Sequence, residues 1–123
     1  MTKRVLIVDD ALIMRMKIRE IAERAGWEVA GEAADGAQAV EAYRNERPDL
    51  TTMDIVMPNV DGGAALKQII SADPAAQVVM VSAVDQKDKL AECIQCGALD
   101  FIVKPFDESR LQTFFEKQLT AGA

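Results

Sequence analysis

Five polar groups in the sequence each follow an apolar run. Asp9 and Asp10 come after Val5-Leu6-Ile7-Val8, Asp54 after Leu50-Thr51-Thr52-Met53, Ser82 after Val78-Val79-Met80-Val81, and Lys104 after Leu99–Val103. If the runs are strands packed side by side, these groups meet at one sheet edge, which in open α/β sheets is where ligands bind. Carboxylates gathered there repel, and a hard divalent cation is the usual remedy. Mg²⁺ accepts carboxylate oxygens and retains several waters. Lys104 adds a point charge suited to a phosphoryl oxygen, and Ser82 a hydroxyl donor to the same group. The set implies an acidic Mg²⁺ pocket built to hold a phosphoryl group on Asp54. No histidine is present, so any metal is held by oxygen.

Each residue alone also has a plainer reading. An Asp at a strand end is commonly a turn or cap residue, Asp9 could cap the helix that follows it, and Ser82 could cap a later one. Lys104 before Pro105 could be a solvated loop lysine, Asp61-Gly62 reads as turn chemistry, and Met14 and Met16 as core filling and surface. Two adjacent acids opposite a third are what these readings explain poorly. Cys93-Ile94-Gln95-Cys96 has the spacing of a redox pair or half a zinc site. With no second pair and no histidine, it reads as two small residues near a helix end.

The elements that must position these groups follow from periodicity. Lys3 to Val8 is an apolar, β-branched run that reads as a strand buried on both faces. From Ala11 to Ala25, Met14, Ile18, Ile21, Ala22 and Ala25 recur at helical spacing, and Gly26 supplies a stop. Glu28 to Ala33 reads as a weaker strand. A helix then runs from Asp35-Gly36 to about Asn45, with Ala39, Val40 and Tyr43 inward. Leu50 to Asp54 is the third strand. Met57-Pro58 and Asp61-Gly62 form the loop after it, and Ala64 to Ser71 the next helix. Gln77 to Ser82 and Leu99 to Val103 are the fourth and fifth strands, separated by a helix over Gln86 to Cys96. Asp107 or Ser109 can cap a last helix carrying Leu111, Phe114, Phe115 and Leu119, and Thr120 to Ala123 are expected to fray.

Strand and helix alternate five times, which specifies an α/β, doubly wound five-stranded parallel sheet with helices on both faces. The flavodoxin-like order 2-1-3-4-5 is the one favoured for this class, and it brings the ends of the first and third strands together. That order comes from the class of fold rather than from spacing.

At 123 residues the chain suits one domain, able to bury about two-thirds of the surface of its unfolded form without disulfides or a structural metal. Half the residues are apolar and 28% charged, as in ordinary globular chains. A net charge of −6 argues against nucleic acid as a partner. The N-terminus does not resemble a signal peptide, and no apolar span reaches the roughly 18 residues needed to enter a membrane. Cytoplasmic location is therefore the default. Met1 and the Ala-Gly-Ala tail lead to the expectation of a complete single-domain protein, residues 1–123.

Asp9-Asp10, Asp54, Met57-Pro58, Asp61-Gly62, Ser82-Ala83 and Lys104-Pro105, in this order on alternating elements, closely resemble a receiver domain of two-component response regulators. The single-domain chemotaxis type is the nearest in kind, and the resemblance covers essentially the whole chain. It implies that Asp54 is the phosphoacceptor. Asp10, Asp54 and the backbone carbonyl of Val56 would bind Mg²⁺, with Asp9 acting through bound water. Lys104 would contact the phosphoryl group, and the Ser82 hydroxyl would move toward it once attached. Phe101, three residues before the lysine, matches an aromatic switch position, although an aromatic in a late strand can equally be core.

The resemblance further implies a histidine kinase as phosphoryl source and, with no output domain, a partner that binds the receiver itself. A flagellar motor switch protein or a chemotaxis kinase assembly fits. The chain would be a signalling protein rather than an enzyme, with intrinsic self-phosphorylation and self-dephosphorylation chemistry. Val56 and Val84 stand where polar residues can help water attack the acyl phosphate, so slow self-dephosphorylation is expected. A Mg²⁺-dependent aspartyl-phosphate phosphohydrolase is the alternative. That family usually carries a second Asp two residues after the nucleophile, where this chain has Val56, and a cap insertion. A flavodoxin-like electron carrier would need a hydroxyl- and glycine-rich phosphate loop where Asp9 and Asp10 stand.

Overall fold

Strands at the centre of the sheet are covered on both faces, so their residues are buried whether apolar, as in Val5–Val8 and Val78–Val81, or hydroxylic, as Thr51 and Thr52 are. The computed structural model describes residues 2–120, without the side chain of Val84. Its elements run in the order β1 (Arg4–Val8), α1 (Leu12–Arg24), β2 (Glu28–Ala33), α2 (Gly36–Glu46), β3 (Leu50–Met53), α3 (Gly62–Ala72) and β4 (Val78–Ala83). A 3-10 turn (Val84–Gln86), α4 (Lys87–Gln95), β5 (Asp100–Lys104) and α5 (Glu108–Thr120) complete the chain. All strand pairs are parallel, and the sheet order is β2-β1-β3-β4-β5. This is the doubly wound order expected. The sheet therefore reverses direction of growth between β1 and β3, leaving a crevice at their carboxyl ends.

The period-two alternation of strand side chains divides the apolar residues between two cores. Leu6, Val8, Met53, Val78 and Met80 face α2, α3 and α4, meeting Tyr43, Leu66 and Leu90. Val5, Ile7, Leu50, Val79 and Val81 face α1 and α5, meeting Ile18, Ile21, Leu111 and Phe115. Trp27 closes the second core, its indole N–H donating to the Phe115 carbonyl at 2.8 Å. No described helix is long and apolar enough to cross a membrane.

Element ends depart from the periodic reading where backbone chemistry takes over. The third helix starts at Gly62, two residues before the expected Ala64, because the Asp61 carboxylate caps it by accepting from Ala64 N at 2.8 Å. The fourth begins as a 3-10 turn and becomes α-helical only at Lys87, with no side-chain cap from Ser82. Thr120 belongs to α5 rather than fraying, its hydroxyl donating to the Lys117 carbonyl at 3.2 Å. The expected fraying of residues 121–123 lies outside the described residues.

Candidate functional site

The carboxyl ends of β1, β3, β4 and β5 bring the five polar groups to one place. Asp54 is the first residue after β3, its N–H tied to the Val8 carbonyl at 3.0 Å, and its side chain is buried. One carboxylate oxygen, Oδ1, accepts from the Ile55 N–H at 2.8 Å and from the Ser82 hydroxyl at 2.9 Å. Among the described residues the other, Oδ2, has only the Lys104 ammonium, at 3.4 Å. Lys104 sits closer to Asp9, 2.6 Å from Oδ2, and Asp9 Oδ1 accepts from the Ala11 N–H at 2.9 Å. Asp9 and Ser82 are almost completely buried and Asp10 is exposed.

These contacts decide several of the plainer readings. Ser82 spends its hydroxyl on Asp54 rather than on a helix cap. The N-cap of α1 is Ala11, without a side-chain cap, so Asp9 does not cap that helix either. Lys104 is in the pocket, not in solvent: its side chain is 18% exposed. Phe101 is 39% exposed on β5, so it is not core. Val56 lies two residues beyond Asp54 with an outward, exposed side chain, whereas the side chain of Val84 lies outside the described residues.

Burial raises the Asp54 carboxyl above the usual carboxylate range, and the charge of Asp9 pushes the same way. Lys104, the Ser82 hydroxyl and the Ile55 N–H pull against that rise. Oxygens of Asp9, Asp10 and Asp54 lie within 4.8 Å of one another. Three carboxylates against one ammonium leave excess negative charge in a buried place, and every donor is an oxygen. The exposed Asp10 leaves a side open to water. That donor set fits Mg²⁺, which takes few protein carboxylates and keeps waters.

The groups that hold the site's loops stand outside the five polar residues at the strand ends. Arg15 in α1 donates to the Asp9 carbonyl at 2.7 Å and is itself held by Glu32 of β2 at 2.9 Å. Asp35, buried at the N-cap of α2, accepts from Gln38 N at 2.8 Å and from the Asn59 amide at 3.0 Å. Those bonds, the Gln38 N–H first, keep its carboxyl below the usual range. The Asp35-x-x-Gln38 spacing is a capping-box signal that was there to be read. No comparable signal marks Arg15.

Cys93 is buried, Cys96 ends α4, and both thiols are free. They line a cavity of about 230 Å³ between α3 and α4. Burial pushes the Cys93 thiol up, the opposite of a reactive cysteine.

Comparison with known proteins agrees with this geometry. Residues 5–116 match the family described as the response regulator receiver domain. The chain is 52% identical over 111 residues to the chemotaxis protein CheY of Thermotoga maritima, covering 90% of this chain and 92% of that protein. Against CheY of Bacillus subtilis it is 50% identical over 119 residues, 97% and 99% of the two chains. Among solved structures, the CheX–CheY–BeF₃–Mg²⁺ complex of Borrelia burgdorferi matches with a TM-score of 0.86 at 36% identity, over 90% of this chain and 84% of that one. The chain therefore belongs to the response regulator receiver family, as a CheY-like chemotaxis regulator of two-component signalling.

Proposed function

We propose that this receiver domain is a switch that takes a phosphoryl group from a histidine kinase onto Asp54 and thereby changes its affinity for a partner protein. The observation that carries the reading is the asymmetry of Asp54. Oδ1 is engaged by two donors, while among the described residues Oδ2 faces only a more distant ammonium and keeps lone pairs free to attack. In the transfer, Oδ2 forms the new P–O bond as the P–N bond to the donor imidazole breaks. The electron pair returns to the imidazole.

Catalysis of such a step is mostly positioning and charge neutralisation. Asp10, Asp54 and the Val56 carbonyl would hold Mg²⁺, with Asp9 acting through water; when bound, the ion neutralises charge on the phosphoryl oxygens. Lys104, already between Asp9 and Asp54, supplies a further positive charge to those oxygens. Ser82 then has a stronger acceptor than Asp54 Oδ1 and turns to it. A ligand shifts a two-state equilibrium only by differential contacts, and this hydrogen bond is one. The exposed Phe101, on the same strand as Lys104, rotates inward into the space Ser82 leaves, carrying the change to the face of α4, β5 and α5.

A kinase and a direct binding partner follow from the CheY relatives, and the Borrelia burgdorferi relative was solved in complex with CheX, BeF₃ and Mg²⁺. A flagellar motor switch protein or a chemotaxis kinase assembly, in the cytoplasm, is the partner this reading favours. The test is transfer from a radiolabelled, autophosphorylated chemotaxis kinase. Label should pass to this chain in Mg²⁺, stay on the kinase in EDTA, and be lost in alkali as acyl phosphates are. Retention of label by the kinase in Mg²⁺ would contradict the reading.

A further inference from the structure

We propose that Asp35 and Asn59 form a clamp that positions the loop between β3 and α3 for cation binding. The proposal rests on the Val56 carbonyl being a metal ligand, as set out above. Val56 lies between the root of this loop and its tip, and each is fastened separately. At the root, Gly62 N donates to the Ile55 carbonyl at 2.7 Å. A Cβ on Gly62 would lie 1.8 Å from the Asp54 carbonyl oxygen, so only glycine lets α3 start against the backbone of Asp54.

The tip is fastened to a different element. Asn59 Nδ2 donates to Asp35 Oδ2 at 3.0 Å, and Gly36 N donates to the Val60 carbonyl at 2.9 Å. A Cβ on Gly36 would lie 2.3 Å from that carbonyl oxygen, so α2 and the loop are in close backbone contact. Asn59 has φ of 65°, a left-handed conformation that Asn tolerates better than most residues. Asp35 is buried and its second oxygen is held by Gln38 N, so its position is fixed by α2.

A backbone carbonyl has no rotamer with which to find a cation; it goes where the loop goes. A loop left free must be ordered when the ion binds, and that entropy weakens affinity. Residues that hold metal ligands in place typically change affinity 10- to 100-fold when removed. Asp35 and Asn59 are therefore positioning residues for the site, although neither touches its acids.

The test uses the whole chain and two variants. Asn59→Gly removes the amide and keeps a backbone that tolerates positive φ. Asp35→Ser keeps an N-cap for α2 and leaves Asn59 without its acceptor. Mg²⁺ affinity is read by calorimetry and hydrogen exchange of the Gly36 amide in metal-free protein. Each variant should bind Mg²⁺ roughly tenfold more weakly and exchange Gly36 faster, and the double variant should lose no more than either single one. Dissociation constants within twofold of wild type for both single variants would overturn the clamp, whatever happens to the melting temperature. Additive losses in the double variant would also overturn it. A wild-type chain that binds no Mg²⁺ would instead remove the metal-site reading itself, and the clamp with it.

Discussion

The two ends of the sheet treat charge in opposite ways. At the amino end, Arg4 binds Glu46 side chain to side chain at 2.8 Å while its N–H donates to Asp49 at 2.8 Å. The Tyr43 hydroxyl donates to Asp73 at 2.8 Å, with Arg47 3.8 Å from the same acid. Acids there have partners of their own and partial access to water. At the carboxyl end, Asp9 and Asp54, both buried, share the ammonium of Lys104, with the exposed Asp10 beside them. Exposed pairs contribute at most about 1 kcal/mol and need nothing from outside. A buried excess of one sign is a standing cost that a cation or a proton relieves. One end closes the fold; the other carries the excess charge that the proposed Mg²⁺ would offset.

The largest effect should come from Lys104. In metal-free buffer Lys104→Met leaves Asp9 buried without a cation and should cost about 3 kcal/mol, lowering Tm by on the order of 10 °C. Mg²⁺ should recover more of this loss than it adds to wild type. A Tm unchanged in the absence of metal would break the contrast between the ends.

Asp54→Asn should act with the opposite sign at the same end. The amide oxygen can still accept from Ser82 and Ile55, and the like charge is gone, so Tm in metal-free buffer should rise by a few degrees. Because the folded-state pKa of Asp54 is raised, its ionisation costs stability as pH climbs through that value. The gain in the variant should therefore be present at neutral pH and fade as pH falls into the carboxylate range. Mg²⁺ should stabilise wild type more than the variant. Equal metal effects on both proteins would contradict the assignment.

Polar groups added at the ligand end should change lifetime more than stability. Val56→Asn with Val84→Glu should shorten the half-life of the phosphoryl group severalfold, measured by loss of label after the donor is removed. Equal or faster loss from wild type would refute the expectation of slow self-dephosphorylation.

The smallest effect belongs to the amino end. Tyr43→Phe removes one hydrogen bond and should cost about 1 kcal/mol at neutral pH, with no change in Mg²⁺ affinity. Burial, and then the bond to Asp73, push the Tyr43 hydroxyl up to about 12. A raised folded-state value means its contribution is intact below the ordinary tyrosine pKa and lost as pH rises toward 12. Tyr43 is the single tyrosine of the chain, so phenolate absorbance reads it directly. The rise should come near pH 12 in folded protein and about two units earlier after unfolding.

The contrast between the ends also explains what the sequence made legible. Apolar runs such as Val5–Val8 and Val78–Val81 announce strands covered on both faces, and the groups that stop them, Asp9, Asp54 and Lys104, are read off the same pattern. The pocket was legible because its chemistry sits at strand ends, where periodicity marks position. Its supports were not. Arg15 reaching the Asp9 carbonyl, or Asn59 reaching Asp35, depends on side-chain paths between elements that no spacing encodes. Whether Ser82 capped a helix or served Asp54, and whether Phe101 faced core or solvent, turned on rotation about a strand end rather than on residue type.

The most direct measurement is to treat wild type with a small-molecule phosphodonor, with and without Mg²⁺, and map the added mass by peptide sequencing. The account predicts a single phosphoryl group on Asp54, formed only with Mg²⁺ and absent from Asp54→Asn. Modification at any other residue, or equal modification without the metal, would contradict it.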